Sequence, residues 1–235
     1  MIEPPGADQL RRPSYTVADA GRLVGLGADR VRRWLRGYQY SYLDAVRGQP
    51  PVVLQGRGAA SPHASFLDLV DLLFVKRFLD HGVSLQKIRR ALDEAREVLG
   101  TSHFARQTFF ADGGAIFLRL KERAHRGRGD SILELMSGGQ WVIAPVIRQL
   151  ARQIDFGSPE GLATRWHPLG RERPVVLDPM VSFGAPSIAG RGVKTINIHD
   201  LYVAEGESLE SVRAWWGLTD TEIRAAVEFE RQLAA

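Results

Sequence analysis

Residues 15–38 read Tyr-Thr-Val-Ala-Asp-Ala-Gly-Arg-Leu-Val-Gly-Leu-Gly-Ala-Asp-Arg-Val-Arg-Arg-Trp-Leu-Arg-Gly-Tyr. The spacing predicts two short helices joined by a glycine turn. Thr16 is placed to cap the first helix, and Val17, Ala20 and Leu23 then fall on one face. Gly25 and Gly27 bracket Leu26, which suits a tight turn that needs a positive φ angle. In the second helix Val31, Trp34 and Leu35 recur at i, i+3 and i+4 and form an apolar anchor. Arg30, Arg32, Arg33 and Arg36 then point away from that anchor, and Gly37 is a C-terminal stop. A packed helix-turn-helix that presents four arginines is built to meet a polyanion, and duplex DNA is the partner expected.

Size and charge bound the alternatives. The chain has 235 residues, 44% of them hydrophobic, enough for a substantial core in one or two domains. It has no cysteine, which leaves out disulfides and zinc fingers. No apolar run of transmembrane length and no signal-peptide core are visible, so a cytoplasmic protein with no membrane partner is expected. Net charge is +4, unevenly spread: +6 over residues 1–125, +2 over 126–171 and −4 over 172–235. The basic end carries the helix-turn-helix, while the acidic end would repel phosphates and is expected to serve another purpose.

Beyond Tyr38 the chain is rich in Gly, Pro and Tyr. Pro51–Gln55 is a strand candidate followed by Gly56-Arg57-Gly58, a β-wing with Arg57 near its tip. Ser65 caps a strong helix with a stripe of Phe66, Leu69, Val70, Leu73, Phe74 and Phe78, which ends at His81-Gly82. Ser84 caps another, with Leu85, Ile88 and Leu92 on one face, which stops at Gly100. Hairpins are expected around Ala111–Gly114 and Ser137–Gly139, then a helix from Pro145 through Ile154. Val175–Leu177 and Ser187-Ile188 are strand candidates. Thr195 caps a helix through Ala204, Ser208 starts one ending near Trp216, and Thr219 with Glu222 forms the capping box of the last. The fold class expected is α+β: mainly α with small β hairpins, a winged helix-turn-helix at the N-terminus and a three-helix, helix-turn-helix-like unit at the C-terminus.

The order of helix-turn-helix, Tyr/Gly-rich wing, Ser65-Phe-Leu-Asp-Leu-Val70 helix and Gly82-Val-Ser-Leu-Gln-Lys-Ile-Arg-Arg-Ala-Leu92 helix resembles a MerR-type winged helix-turn-helix domain over residues 14–99. The resemblance implies that the recognition helix enters the major groove. Arg32 matches that family's arginine on this helix, and Arg30 stands where a side chain reaches a base edge. Arg33, Arg36 and Arg57 suit phosphates, Tyr38 can donate its hydroxyl to a phosphate oxygen, and Thr16 completes the DNA-binding set. Residues 100–171 form an α/β middle segment with no heptads.

Residues 172–235 carry a second resemblance, in Pro174, Ser187-Ile-Ala-Gly190, Ala204-Glu-Gly-Glu-Ser-Leu-Glu210, Leu218-Thr219 and Ile223-Arg-Ala-Ala226. They are similar to a small domain that recurs in bacterial antitoxins encoded beside PIN-domain ribonucleases. The whole chain thus resembles a VapB-type antitoxin of large architecture. This implies a PIN-domain ribonuclease toxin as partner, autorepression at operator DNA and a homodimer on a two-fold site. A basic side chain could enter the toxin's carboxylate cluster, and Arg123, Arg126 and Arg128 have the right charge. The adjacent indoles Trp215 and Trp216 are the competing toxin surface, because two neighbouring tryptophans cannot both enter one narrow core.

Catalytic chemistry is not visible. The six histidines (63, 81, 103, 125, 167, 199) show no metal-ligand spacing. Asp68 and Asp71 read as the solvated face opposite Phe66 and Leu69. No phosphate loop or nucleophile elbow occurs, so no metal, cofactor or enzyme activity is expected. The alternative is a MerR-like transcriptional regulator whose C-terminal half senses a small molecule, with Phe109, Phe117, Trp141 and Trp166 lining its pocket.

Overall fold

The computed structural model describes residues 6–43, 45–53, 62–90, 93, 103, 105, 149–157 and 161–234. The predicted hairpins at 107–118 and 132–143, Arg57, and Arg123, Arg126 and Arg128 lie outside them. Within them the chain is a mixed helical structure with small antiparallel strand pairs and an N-terminal helix-turn-helix.

A short helix α1 (Ala7–Leu10) precedes β1 (Pro13–Thr16), which pairs antiparallel with β4 (His63–Ser65). Each of these strands runs straight into a helix and ends on its cap. Thr16 accepts the Asp19 N–H at 3.0 Å to start α2 (Val17–Val24). Ser65 accepts the Asp68 N–H at 3.1 Å while the Asp68 carboxylate takes the Ser65 N–H, a complete capping box that starts α4 (Phe66–Asp80). Because the ladder is antiparallel, with Thr16 opposite His63 and Ser65 opposite Pro13, the two helices start from its opposite ends, and α3 (Ala28–Arg36) packs against both α2 and α4.

The α4 helix is buried on almost every side. Phe66, Leu69, Val70, Leu73, Phe74 and Phe78 are in the core as the stripe predicts, but so are Leu67, Leu72 and Val75. A helix apolar all round is a central one, with partners on each face. The expectation that Asp68 and Asp71 form a solvated face is corrected here: both are buried. Asp68 closes the capping box. Asp71 accepts from the His103 ring Nδ1 at 2.9 Å and from the Ala105 N–H at 3.1 Å. This ties the segment after the first domain to α4. The helix then stops at His81, and Ser84 caps the helical residues 85–90 (α5).

Residues 149–153 (α6) are helical, but the helix ends one residue before Ile154. Ile154–Phe156 is strand β5, antiparallel to β6 (Ala163–Trp166), a pair the helical reading of this stretch missed. Trp166 is buried in the first core. β7 (Val175–Val176) and β8 (Ser187–Ile188) fall on the two strand candidates, and the structure pairs them with each other, antiparallel. Helices α7 (Thr195–Ala204), α8 (Leu209–Trp216) and α9 (Asp220–Ala234) follow. Ser208 caps α8, Gly217 turns at φ 62°, and Thr219 and Glu222 make the capping box of α9. The expected cap at Thr195 is replaced: Lys194 is the N-cap residue without a side-chain bond, and the Thr195 hydroxyl donates to Glu230 and to the Pro186 carbonyl.

Two hydrophobic clusters result. One gathers α1–α4 with Ile154, Leu162 and Trp166; the other gathers Val175, Ile188, Ile198, Val212, Ile223 and Phe229. Leu23 of α2 packs against both. The buried Tyr15 hydroxyl donates to the Gly184 carbonyl at 2.8 Å, across the same junction. Burial, and then the charge of Asp178, push this phenol well above its ordinary pKa, so it is a fixed donor. Ser182, Phe183 and Gly184 are consecutive left-handed residues, at φ 51°, 59° and 80°. For the two that are not glycine this costs about 1–3 kcal/mol each, held by the surrounding structure.

Candidate nucleic-acid interface

The helix-turn-helix is closed by contacts that explain its sequence. Gly25 ends α2 at φ 69°, and the Leu26 N–H returns to the Gly21 carbonyl at 2.7 Å. A Cβ on Gly21 would sit 2.5 Å from the Leu26 oxygen, so the turn needs glycine there. Gly27 has an ordinary φ of −64°, so only one of the two bracketing glycines uses the left-handed region. Val31, Trp34 and Leu35 are buried, as the spacing predicts. Arg30, Arg32, Arg33 and Arg36 are all exposed. Burial of Trp34 and its neighbours, worth about 1.5–3 kcal/mol per large side chain, holds the arginine face outward.

The four arginines are not equivalent. Arg32 is ion-paired with Asp29 one turn earlier. Arg33 lies over the Tyr38 ring, 5.7 Å from its centroid. Arg30 has no ion pair among the described residues. It is therefore free to move to a ligand without first breaking a bond.

The wing differs from its predicted position. Its strands are β2 (Tyr38–Tyr42) and β3 (Ala45–Gln49), paired Tyr38↔Gln49 to Tyr42↔Ala45. Val52 and Val53 are not strand but buried anchors, and both donate to the Trp34 carbonyl, at 2.7 and 3.0 Å. They satisfy an orphan carbonyl in the last turn of α3, which binds the wing's return to the recognition helix. Arg89 of α5 also donates to the Pro50 carbonyl at the wing's base. Partial burial holds its pKa below the ordinary arginine value, against the opposing pull of Tyr38 and Asp93.

Cross-strand partners share a face, so Tyr38, Tyr40, Arg47 and Gln49 stand on one side of the hairpin. The Tyr38 and Tyr40 rings are exposed and 6.0 Å apart. Leu43 sits at the tip, left-handed and 81% exposed. Sequence reasoning missed Tyr40, Arg47 and Arg89. The signal for the first two was the period-2 run Tyr38-Gln-Tyr-Ser-Tyr42 ahead of Leu43-Asp44; nothing local marks Arg89.

The Thr16 hydroxyl is occupied by its capping role and donates to Asp19 at 2.7 Å. Trp215 is 74% exposed and Trp216 40%, so neither serves as core packing. Among the described residues no group of three or more metal-type ligands exists, and no helix is long and apolar enough to cross a membrane.

The fold and this face define a protein with an N-terminal helix-turn-helix of the DNA-binding class. A family profile described as "Putative DNA-binding HTH domain" matches residues 13–92. The chain is similar to "Putative antitoxin VapB45" of Mycobacterium tuberculosis, 27% identical over 92% of this chain and 93% of that one. It is also similar to the uncharacterized HTH-type transcriptional regulator Rv1830 of the same species, 31% identical over 51% of this chain and 52% of that one. The crystal structure of Rv2018 from M. tuberculosis has the same fold, with a TM-score of 0.66 at 23% identity over 92% of this chain and 98% of that one.

Proposed function

We propose that the chain is an antitoxin that also represses transcription from its own operator, with the α3 face and the wing as the DNA contact. The observation that carries the DNA half is the split of α3 into three buried anchors and four exposed arginines beside an aromatic, arginine-bearing wing. In this reading Arg30 reaches a base edge, while Arg33, Arg36, Tyr38, Tyr40 and Arg47 serve phosphates. One copy makes few contacts, so a dimer on a two-fold operator supplies the affinity.

The antitoxin half is supported by end-to-end similarity to a relative whose name includes that role. The partner is a PIN-domain ribonuclease. The exposed Trp215-Trp216 pair and the basic 119–128 segment are the two candidate contact surfaces. The test is capture followed by growth rescue: the tagged chain, purified from its native lysate at high salt, should carry a PIN-domain ribonuclease whose expression alone arrests growth and whose co-expression with this chain restores it. Arrest that persists at equal expression would remove the antitoxin role and leave a repressor. The similarity to HTH-type regulators over half the chain is compatible with that second reading, a regulator without a toxin, and supports it no better than the first.

A further inference from the structure

A cleft of about 320 Å³ opens where the first helix of the helix-turn-helix meets the C-terminal unit. That volume is at the lower end of small-ligand sites, roughly 300–1,000 Å³. Its apolar wall includes Leu23 of α2, Ile196 of α7 and Leu233 of α9, with Phe183 at the rim. Phe183 is 83% exposed on the left-handed turn that Tyr15 and Ser182 pin in place through Gly184 and Gly192. An aromatic ring held out in a costly backbone conformation points to a contact still to be made.

The charges narrow the ligand. Four charged side chains line the cleft: Asp19, Arg22, Lys194 and Glu230. Asp19 and Arg22 pair with each other at 3.1 Å. Lys194 and Glu230 form no ion pair among the described residues; the Glu230 carboxylate accepts only the Thr195 hydroxyl. One positive and one negative group thus stand unpaired in a partly apolar cleft.

We propose that this cleft binds a small zwitterion with an apolar side chain, an α-amino acid of the aliphatic or aromatic type. Its carboxylate meets Lys194, its ammonium group meets Glu230, and its side chain lies between Leu23, Ile196, Leu233 and Phe183. A simple anion would satisfy Lys194 and meet Glu230 unfavourably, and a simple cation the reverse. The proposal does not depend on the DNA or toxin readings, since it concerns residues away from the α3 face.

The test is calorimetric titration of the full chain with L-phenylalanine and L-leucine, beside phenylacetate and phenethylamine, which each lack one charge. Saturable binding of one of the amino acids at one molecule per chain is expected. Phenylacetate and phenethylamine should each bind about tenfold or more weakly than L-phenylalanine, since a charged hydrogen-bond partner is lost. Lys194→Met keeps the aliphatic stem and Glu230→Gln keeps an acceptor for Thr195. Both should weaken the amino acid about tenfold while leaving the circular dichroism spectrum and Tm unchanged. No saturable heat with either amino acid at millimolar concentration overturns the proposal. So does binding of phenylacetate as tight as phenylalanine, or folded variants that bind like the wild type.

Discussion

Arg30 and Arg33 sit three residues apart on one helix, yet their surroundings assign them different work. Arg33 already rests on the Tyr38 ring at the base of the wing, 5.7 Å from its centroid, and under the proposed reading it serves a backbone phosphate as a positioned charge. Arg30 is exposed and unpaired among the described residues, so its fork can turn to a base edge. Arg30→Ala should narrow the gap between operator and random duplex by about 1–3 kcal/mol. Arg33→Ala should weaken both duplexes alike and lower the salt slope by about one. Anisotropy titrations at several salt concentrations separate the two effects, and wild-type behaviour in both variants would mean α3 is not the reading helix. These arginines were legible because an amphipathic helix declares its outer face through its inner one. Asp68 and Asp71 were not, because periodicity shows which residues could face water but not whether a further layer covers them. In α4 that layer comes from Ala105 and His103, more than thirty residues downstream.

The elements follow the same division. Helices with a side-chain cap and a glycine stop, such as α2 and α8, were readable to within a residue, because cap chemistry is local. The wing was not, since its return segment is fixed by Trp34, a partner from another element. Gly37 joins the two. It ends α3 at φ 73°, and an added Cβ would lie 2.3 Å from the Gln49 carbonyl oxygen. Gly37→Ala should therefore cost about 1–3 kcal/mol of stability and loosen the wing against the recognition helix. Gly48→Ala in β3 is the matched control, because its methyl would meet open space. It should stay within about 0.5 kcal/mol of wild type. Urea denaturation reports the comparison, and equal stability of the two variants would refute this account of the α3–wing joint. Likewise, β5 was read as the end of a helix because Ile154 continues the helical spacing from Leu150. The pairing with β6 that overrides it is a tertiary fact.

At the scale of the molecule, the basic N-terminal half and the acidic C-terminal unit are separate hydrophobic clusters linked through Leu23 and Tyr15, and the buried His103–Asp71 pair lies within the first of them. That pair makes stability depend on pH in a direction the structure dictates. Burial alone would depress the His103 imidazole, but the hydrogen bond to Asp71 and the charges of Asp71 and Asp68 outweigh it, with Arg11 opposing, and the pKa is raised above 6.5. A group that holds its proton more tightly when folded stabilises the fold fully below its unfolded pKa and loses that contribution as pH climbs through the folded one. Burial raises Asp68 from its ordinary 3.8 as well, against the bonds from Ser65, so it acts in the same sense at lower pH. Glu222 acts oppositely. Burial alone would raise it, but Thr219 and Arg191 hold it below its ordinary 4.5, so its contribution is lost only on acidification. The unfolding free energy should thus fall as pH rises above 6.5, with a slope of at most about 1.4 kcal/mol per pH unit from this one group. His103→Asn, which keeps a donor for Asp71 but cannot titrate, should flatten that limb and leave the acid limb unchanged. Urea unfolding of both proteins across the neutral range decides the matter: a wild-type stability that is level or rising there would show that His103 is not held protonated by Asp71.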